Sequence, residues 1–208
     1  MSRLLQVLVI FTSWLLVAAC SNPASDKPRA VTNEAAPTSS APATGERYSI
    51  TPENSKIEFI GAKVTGHHNG SFGKFSGTID HAGPPEKSRV RITIDVDSIT
   101  ADDPKLTAHL KTPDFFDVAK YPQATFESTE ITPGGEGGAT HTIKGNLTMH
   151  GVTKSITFPA KIAVATDAIT VDSSFAINRK DFGINYAGAS DNLIRDDVVL
   201  TLRVRATK

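Results

Sequence analysis

The 208-residue sequence holds one cysteine, one tryptophan, two methionines and three tyrosines. A single cysteine excludes an intrachain disulfide and a cysteine-built zinc cluster. Lys plus Arg number 22 and Asp plus Glu also number 22, so the formal net charge is zero. A whole-protein electrostatic grip on nucleic acid needs a basic face, and this balance offers none. The sequence also lacks an apolar run long enough for a membrane-spanning stem, its best stretch being Leu4 to Val17. At ~100–200 residues per domain, the length admits one domain with appendages.

What the sequence does contain begins with an export signal. Arg3, the apolar stretch, and then Ala18 and Ala19 form a cationic start, a short hydrophobic segment and small residues before a cleavage point. Residues 1–19 are therefore expected to be a signal peptide. Cys20, directly after Val17-Ala18-Ala19, resembles the cysteine of the bacterial lipobox. That resemblance implies lipidation of Cys20 and a lipid-anchored protein of the bacterial cell envelope. Ser21 rather than Asp after the cysteine points, by the same sorting rules, to the outer membrane facing the periplasm.

Residues 20–45 contain Pro23, Pro28, Pro37 and Pro42 with many Ser, Thr and Ala, but no Leu, Ile or aromatic residue. Such a segment cannot bury enough apolar surface to offset its ordering entropy, and a disordered tether is expected. Its r.m.s. reach would be roughly 25–30 Å.

Residues 46–208 read as one all-β domain. Val90, Ile92, Ile94 and Val96 alternate with Arg91, Thr93, Asp95 and Asp97, and the same period of two recurs in Ile143, Gly145, Leu147, Met149 and in Ile156, Phe158, Ala160, Ile162. This is the pattern of strands with one apolar face. Turn signals separate the runs, among them Gly83-Pro84-Pro85, Pro133-Gly134-Gly135 and the hairpin candidate His150-Gly151. One helix is expected, from about Pro104 to Phe116. Some eight antiparallel strands with one short helix suggest a barrel, since closure removes exposed sheet edges. Eight strands make about the smallest barrel that can enclose one ligand, although size does not decide whether it is hollow.

Four blocks carry a family resemblance. They are Gly70-Ser71-Phe72-Gly73-Lys74-Phe75-Ser76-Gly77 following Ser55-Lys56-Ile57-Glu58-Phe59; His109-Leu110-Lys111-Thr112-Pro113-Asp114-Phe115-Phe116 with Tyr121-Pro122-Gln123-Ala124-Thr125-Phe126; Gly145-Asn146-Leu147-Thr148-Met149-His150-Gly151-Val152; and Asn178-Arg179-Lys180-Asp181-Phe182-Gly183. In order and over nearly the whole domain, they resemble the YceI-like family. The resemblance implies an extended, eight-stranded, lipocalin-like antiparallel barrel of exported bacterial proteins that binds long isoprenoid or related amphiphilic lipids in an apolar interior. No catalytic chemistry and no further cofactor are implied. The chain departs from the family where an Arg-Asp pair commonly precedes the His-Leu of the helix; here the stretch reads Lys105-Leu106-Thr107-Ala108-His109-Leu110.

The candidate site is apolar. Phe59, Ile92, Ile94, Phe126, Leu147, Phe158 and Phe175 are expected to face inward along a lipid tunnel, with Phe115, Phe116 and Phe182 closing or gating its end. For each of these alone, plain core packing is the competing reading. His109 is read as a hydrogen bond orienting the helix or as a polar contact to the ligand. Arg179 is read as a partner of Asp181 or Asp114, or as a contact to a polar head. Adjacent His67-His68 is a poor metal spacing, because neighbouring residues diverge in a turn or strand. Asp103 before Pro104 suits a helix cap better than a catalytic pair. The competing functions are an envelope interaction protein with a filled barrel, and an enzyme acting on a bound isoprenoid. An edge strand or helix leaves room for pairing two barrels into a homodimer.

Overall fold

The computed structural model describes residues 22–38, 45–190 and 192–208. The expected signal peptide and Cys20 lie outside the described residues. After a short strand β1 (Val31–Glu34), the chain forms β2 (Glu46–Ile50), β3 (Lys56–Lys63), β4 (Gly66–Phe72), β5 (Phe75–His81), β6 (Arg89–Asp95) and β7 (Ile99–Ala101). Helix α1 (Pro104–Leu110) follows, then β8 (Gln123–Pro133), β9 (His141–Met149), β10 (Val152–Val164), β11 (Ala168–Asn178), the short β12 (Gly188–Ala189) and β13 (Asn192–Leu193), and finally β14 (Asp197–Thr207).

These pieces trace a closed eight-stranded antiparallel barrel with one helix. The first three barrel strands are each bent into two segments: β2 with β3, β4 with β5, and β6 with β7. Each strand pairs with the next in sequence, β3 with β4, β2 with β5, β5 with β6, β4 with β7, β6 with β8, and so on. The ring closes where β14 pairs with β3 from Val199↔Ile60 to Arg203↔Lys56 and meets β2 at Thr207↔Ser49. The β9–β10 hairpin has the expected two-residue turn, with His150 at φ 52° and Gly151 at φ 75°. Positive φ at both central positions is what the twist of paired strands selects.

Helix α1 is shorter than the sequence reading. The Asp103 carboxylate accepts from the backbone N–H groups of Lys105 (2.7 Å) and Leu106 (3.0 Å), and Pro104 occupies the first turn. Beyond Leu110, Pro113 has no N–H to continue the ladder and disfavours helical geometry at Thr112. The chain instead folds through tight turns, in which the Phe116 N–H donates to the Leu110 carbonyl at 3.1 Å.

Within the expected tether of residues 20–45, residues 28–36 lie against the barrel. Val31–Glu34 pairs with Thr157–Lys154 of β10, and the Ala30 N–H and Pro28 carbonyl bond to the carbonyl and N–H of Ala176 in β11, both at 2.8 Å. Poor apolar content prevents this segment from folding alone, but open strand edges offer hydrogen bonds that need no side-chain burial. The run from Arg29 to Glu34 contains no proline, so its donors are intact.

Two apolar clusters fill the barrel. The larger takes in Tyr48, Ile50, Ile79, Ile92, Leu147, Phe158, Phe175 and Phe182, among others, and packs the half that holds the β8–β9 and β10–β11 turns. The smaller, Phe59, Ile99, Leu110, Phe115 and Ile184, lies at the opposite end beneath α1. Phe72, Met149, Val198 and Leu200 touch both clusters and form the boundary between them.

Candidate functional site

The boundary residues are also the floor of a half-open cavity of about 430 Å³ at the helix end of the barrel. Strand β3 gives it Phe59, Gly61, Ala62 and Lys63. Helix α1 and the turns after it add Leu106, His109, Leu110, Phe115 and Phe116. From the other side come Ile177 of β11, Arg179, and the segment holding Ile184, Tyr186 and Ile194. The walls are largely hydrocarbon, with a few polar groups at the rim, as in small-molecule sites generally.

The aromatic wall is built by register. Phe59 lies directly opposite Gly70 in the β3–β4 ladder, and its ring occupies the space over that glycine. A Cβ at Gly70 would sit 2.2 Å from the ring and 2.5 Å from the Thr100 carbonyl oxygen, so the ring needs a residue without one. Phe72 stands 5.9 Å from Phe59 and meets Phe116 edge-on at 6.1 Å. At the mouth, His109, Phe115 and Tyr186 form a mutual triad with ring centroids 5.0 to 5.2 Å apart.

Most of the polar wall groups already have partners. His109 Nε2 lies 2.8 Å from Asp114 Oδ2, which fixes the imidazole between the turn and the cavity. His68 Nδ1 lies 2.7 Å from Asp102 Oδ1, and the Asn69 N–H donates to Asp102 Oδ2 at 2.8 Å. The Asn69 hydrogen bond first, and His68 second, hold the Asp102 carboxyl below its ordinary pKa. Arg179 is only 4% exposed. Its guanidinium donates to the carbonyls of Ile184 (2.6 Å), Arg195 (3.1 Å) and Ile194 (3.4 Å), and to Asp196 Oδ1 at 3.4 Å. Burial pulls its pKa down, with Asp196 acting the other way. Neither Asp181 nor Asp114 is its partner; Asp196 is. Among the described residues, no group of three or more His, Cys, Asp or Glu side chains is placed to hold a metal.

The expected tunnel residues divide. Phe59, Phe115, Phe116, His109 and Arg179 line the cavity. Ile92, Leu147, Phe158 and Phe175 belong instead to the filled cluster, with Ile94 and Phe126 packed against it. Phe182, expected at the gate, is fully buried in that same cluster. Period-two alternation identifies inward faces, but both halves of the barrel share those faces, and only the end loops decide which half stays open. Sequence reasoning missed Tyr186, Ile184, Ile194, Met149 and Leu200; the first three lie in a segment with no strand periodicity to flag them.

Residues 48–206 match the YceI-like domain family. A UPF0312 protein of Pseudomonas aeruginosa is 37% identical over 123 residues, 55% of this chain and 62% of that protein. A UPF0312 protein of Yersinia pseudotuberculosis is 40% identical over 95 residues, 45% of this chain and 47% of that one. The chain thus spans less than two thirds of the length of these relatives. Among solved structures, Burkholderia cenocepacia BcnA superposes with a TM-score of 0.67 at 27% identity, covering 76% of this chain and 99% of that one. A polyisoprenoid binding domain from Saccharophagus degradans shares the fold, with a TM-score of 0.60, 18% identity, and coverage of 77% and 97%.

Proposed function

The chain belongs to the YceI-like family, and on that footing we propose that its end cavity binds the tail of a long apolar lipid of the polyisoprenoid or isoprenoid quinone class, for storage or transport and without chemistry on the ligand. The observation that carries this reading is the apolar cavity of about 430 Å³ between α1, β3 and the Ile184–Ile194 segment. An apolar cavity of ~150 Å³ accepts a benzene ring, so this one suits roughly 15–20 carbon atoms, or three to four isoprene units. At about 0.8 kcal/mol per buried CH₂, such a tail gains on the order of 12 kcal/mol before the costs of association.

Catalysis is disfavoured by the same wall. Among the described residues that line the cavity there is no serine, threonine or cysteine for His68 or His109 to activate. As part of the proposal, Cys20 carries the lipid anchor that keeps the barrel at the outer membrane, facing the periplasm.

The test is lipid extraction and mass spectrometry of the full chain purified from its own host, joined to a titration with polyprenols of increasing length. A stoichiometric isoprenoid, with affinity that rises to about three or four units and then levels, is the expected result. Protein that is consistently empty and does not bind polyprenols would sink the reading, and turnover of the lipid would replace it with an enzyme.

A further inference from the structure

The N-terminal segment fills the one stretch of the closed barrel where β10 and β11 do not pair with each other. Strands β10 and β11 are paired only from Lys161↔Asp172 to Val164↔Ile169, near the turn that joins them. The ladder stops where Pro159, which has no N–H, would have to pair next. Past that point Ala30 and Val31 lie between Ala176 of β11 and Thr157 of β10, bonded to one side and then the other. Strands on either side of an inserted strand stand roughly 10 Å apart. Beneath the insert lie the apolar side chains of Ile156, Phe158, Phe175 and Ile177, and Ile177 also lines the cavity.

The insert is held by polar contacts. The Asn146 side chain clamps both backbone groups of Ala36, accepting from its N–H at 2.9 Å and donating to its carbonyl at 2.7 Å. Lys154 pairs with Glu34 at 2.6 Å, and Arg29 pairs with Asp197. Ala30 is the one residue of the segment in the core; Val31 is 59% exposed. Few buried apolar contacts and solvent-exposed hydrogen bonds are the marks of a part that opens locally, ahead of global unfolding. The Ser155 hydroxyl, opposite Asn33 in the ladder, is buried and lacks a hydrogen-bond partner.

We propose that residues 28–36 are a detachable ninth strand occupying a strand-binding seam between β10 and β11, and that vacating the seam opens a lateral entry for a lipid chain. This rests on the lipid-binding reading above. Space that holds a peptide strand also holds an isoprenoid chain, and the seam leads to Ile177 at the cavity wall. A tail longer than the cavity then has a side route that avoids threading past His109, Phe115 and Tyr186 at the mouth.

The test combines hydrogen exchange of the full chain, read by mass spectrometry, with the uptake rate of a fluorescent long-chain polyprenyl probe. Wild type is compared with Asn146→Ala, which removes the clamp, and with Ala30→Pro, which removes the donor to Ala176. The expected result is that the amides of Ala30 and β1 exchange sooner than those of the β8–β9 ladder. Asn146→Ala should speed that exchange about tenfold, the effect of losing two hydrogen bonds, and speed probe uptake with it while equilibrium affinity holds. Segment amides that exchange only with the whole barrel overturn the detachable strand. Faster exchange with unchanged uptake overturns the lateral entry. A wild type that takes up no probe overturns the lipid reading and the entry together, while the exchange data still decide whether the strand detaches.

Discussion

The rings of Phe158 and Phe175 stack at a centroid distance of 4.2 Å and an interplanar angle of 11°, across the stretch where their two strands share no ladder. Side chains here join what the backbone leaves apart. Both rings are at most 3% exposed, and Phe126 extends the group at 5.8 Å from Phe158. Phe158→Ala should therefore lower unfolding free energy by about 3–5 kcal/mol in a denaturant titration. Affinity for a short polyprenol should stay at the wild-type level under native conditions, because Phe158 is not on the cavity wall.

Gly70→Ala tests the wall directly. The added methyl collides with the ring of Phe59 and with the Thr100 carbonyl, so the ring must swing into the cavity or the strands must part. The expected cost is about 1–3 kcal/mol of stability, typical of overpacking, together with weaker polyprenol binding in the folded variant. Undiminished affinity would show that Phe59 does not shape the site.

Arg179→Lys keeps the charge and loses the fork. One ammonium cannot reach the carbonyls of Ile184, Ile194 and Arg195 together, so about 2–3 kcal/mol of stability should be lost. The loss should be concentrated in the Ile184–Asp196 segment. Hydrogen exchange at the Ile184 and Ile194 amides would report it.

The acid side of the pH profile should act through α1. The N–H groups of Leu106 and Lys105 hold the Asp103 carboxyl below its ordinary pKa of 3.8. A carboxyl whose folded-state pKa is depressed adds stability that is fully present above its unfolded pKa and is lost as pH falls through the folded value. The helix cap should thus be intact at neutral and mildly acid pH and fail only below the usual aspartate range. The amide shifts of Lys105 and Leu106, followed by NMR, should titrate with a midpoint under 3.8, and Asp103→Asn should abolish that titration.

The barrel was legible in the sequence because its strands are half-buried, and alternation such as Val90, Ile92, Ile94 survives any detail of closure. The helix start was legible in Asp103-Pro104 for a local reason, since a cap is chemistry between near neighbours. The site was only partly legible. Phe115, Phe116 and His109 sit in a recognisable block beside the helix, but Phe126 and Phe158 share their inward orientation with Phe59 while lying in the packed half. That distinction depends on which loops fold over the end, a long-range property that no strand pattern encodes. The strand at Val31–Glu34 was hidden because backbone pairing with a foreign edge leaves no hydrophobic signature. Its one sequence trace is the proline-free run from Arg29 to Glu34.

The boundary formed by Phe72, Met149, Val198 and Leu200 divides labour within one barrel. Below it, the large cluster works as a keel of closely packed, buried side chains. Above it, α1 and the Ile184–Ile194 segment form the wall of the cavity. Under the proposed lipid-binding reading, variation in those end segments would retune which tail fits, while the strands beneath keep the packed half.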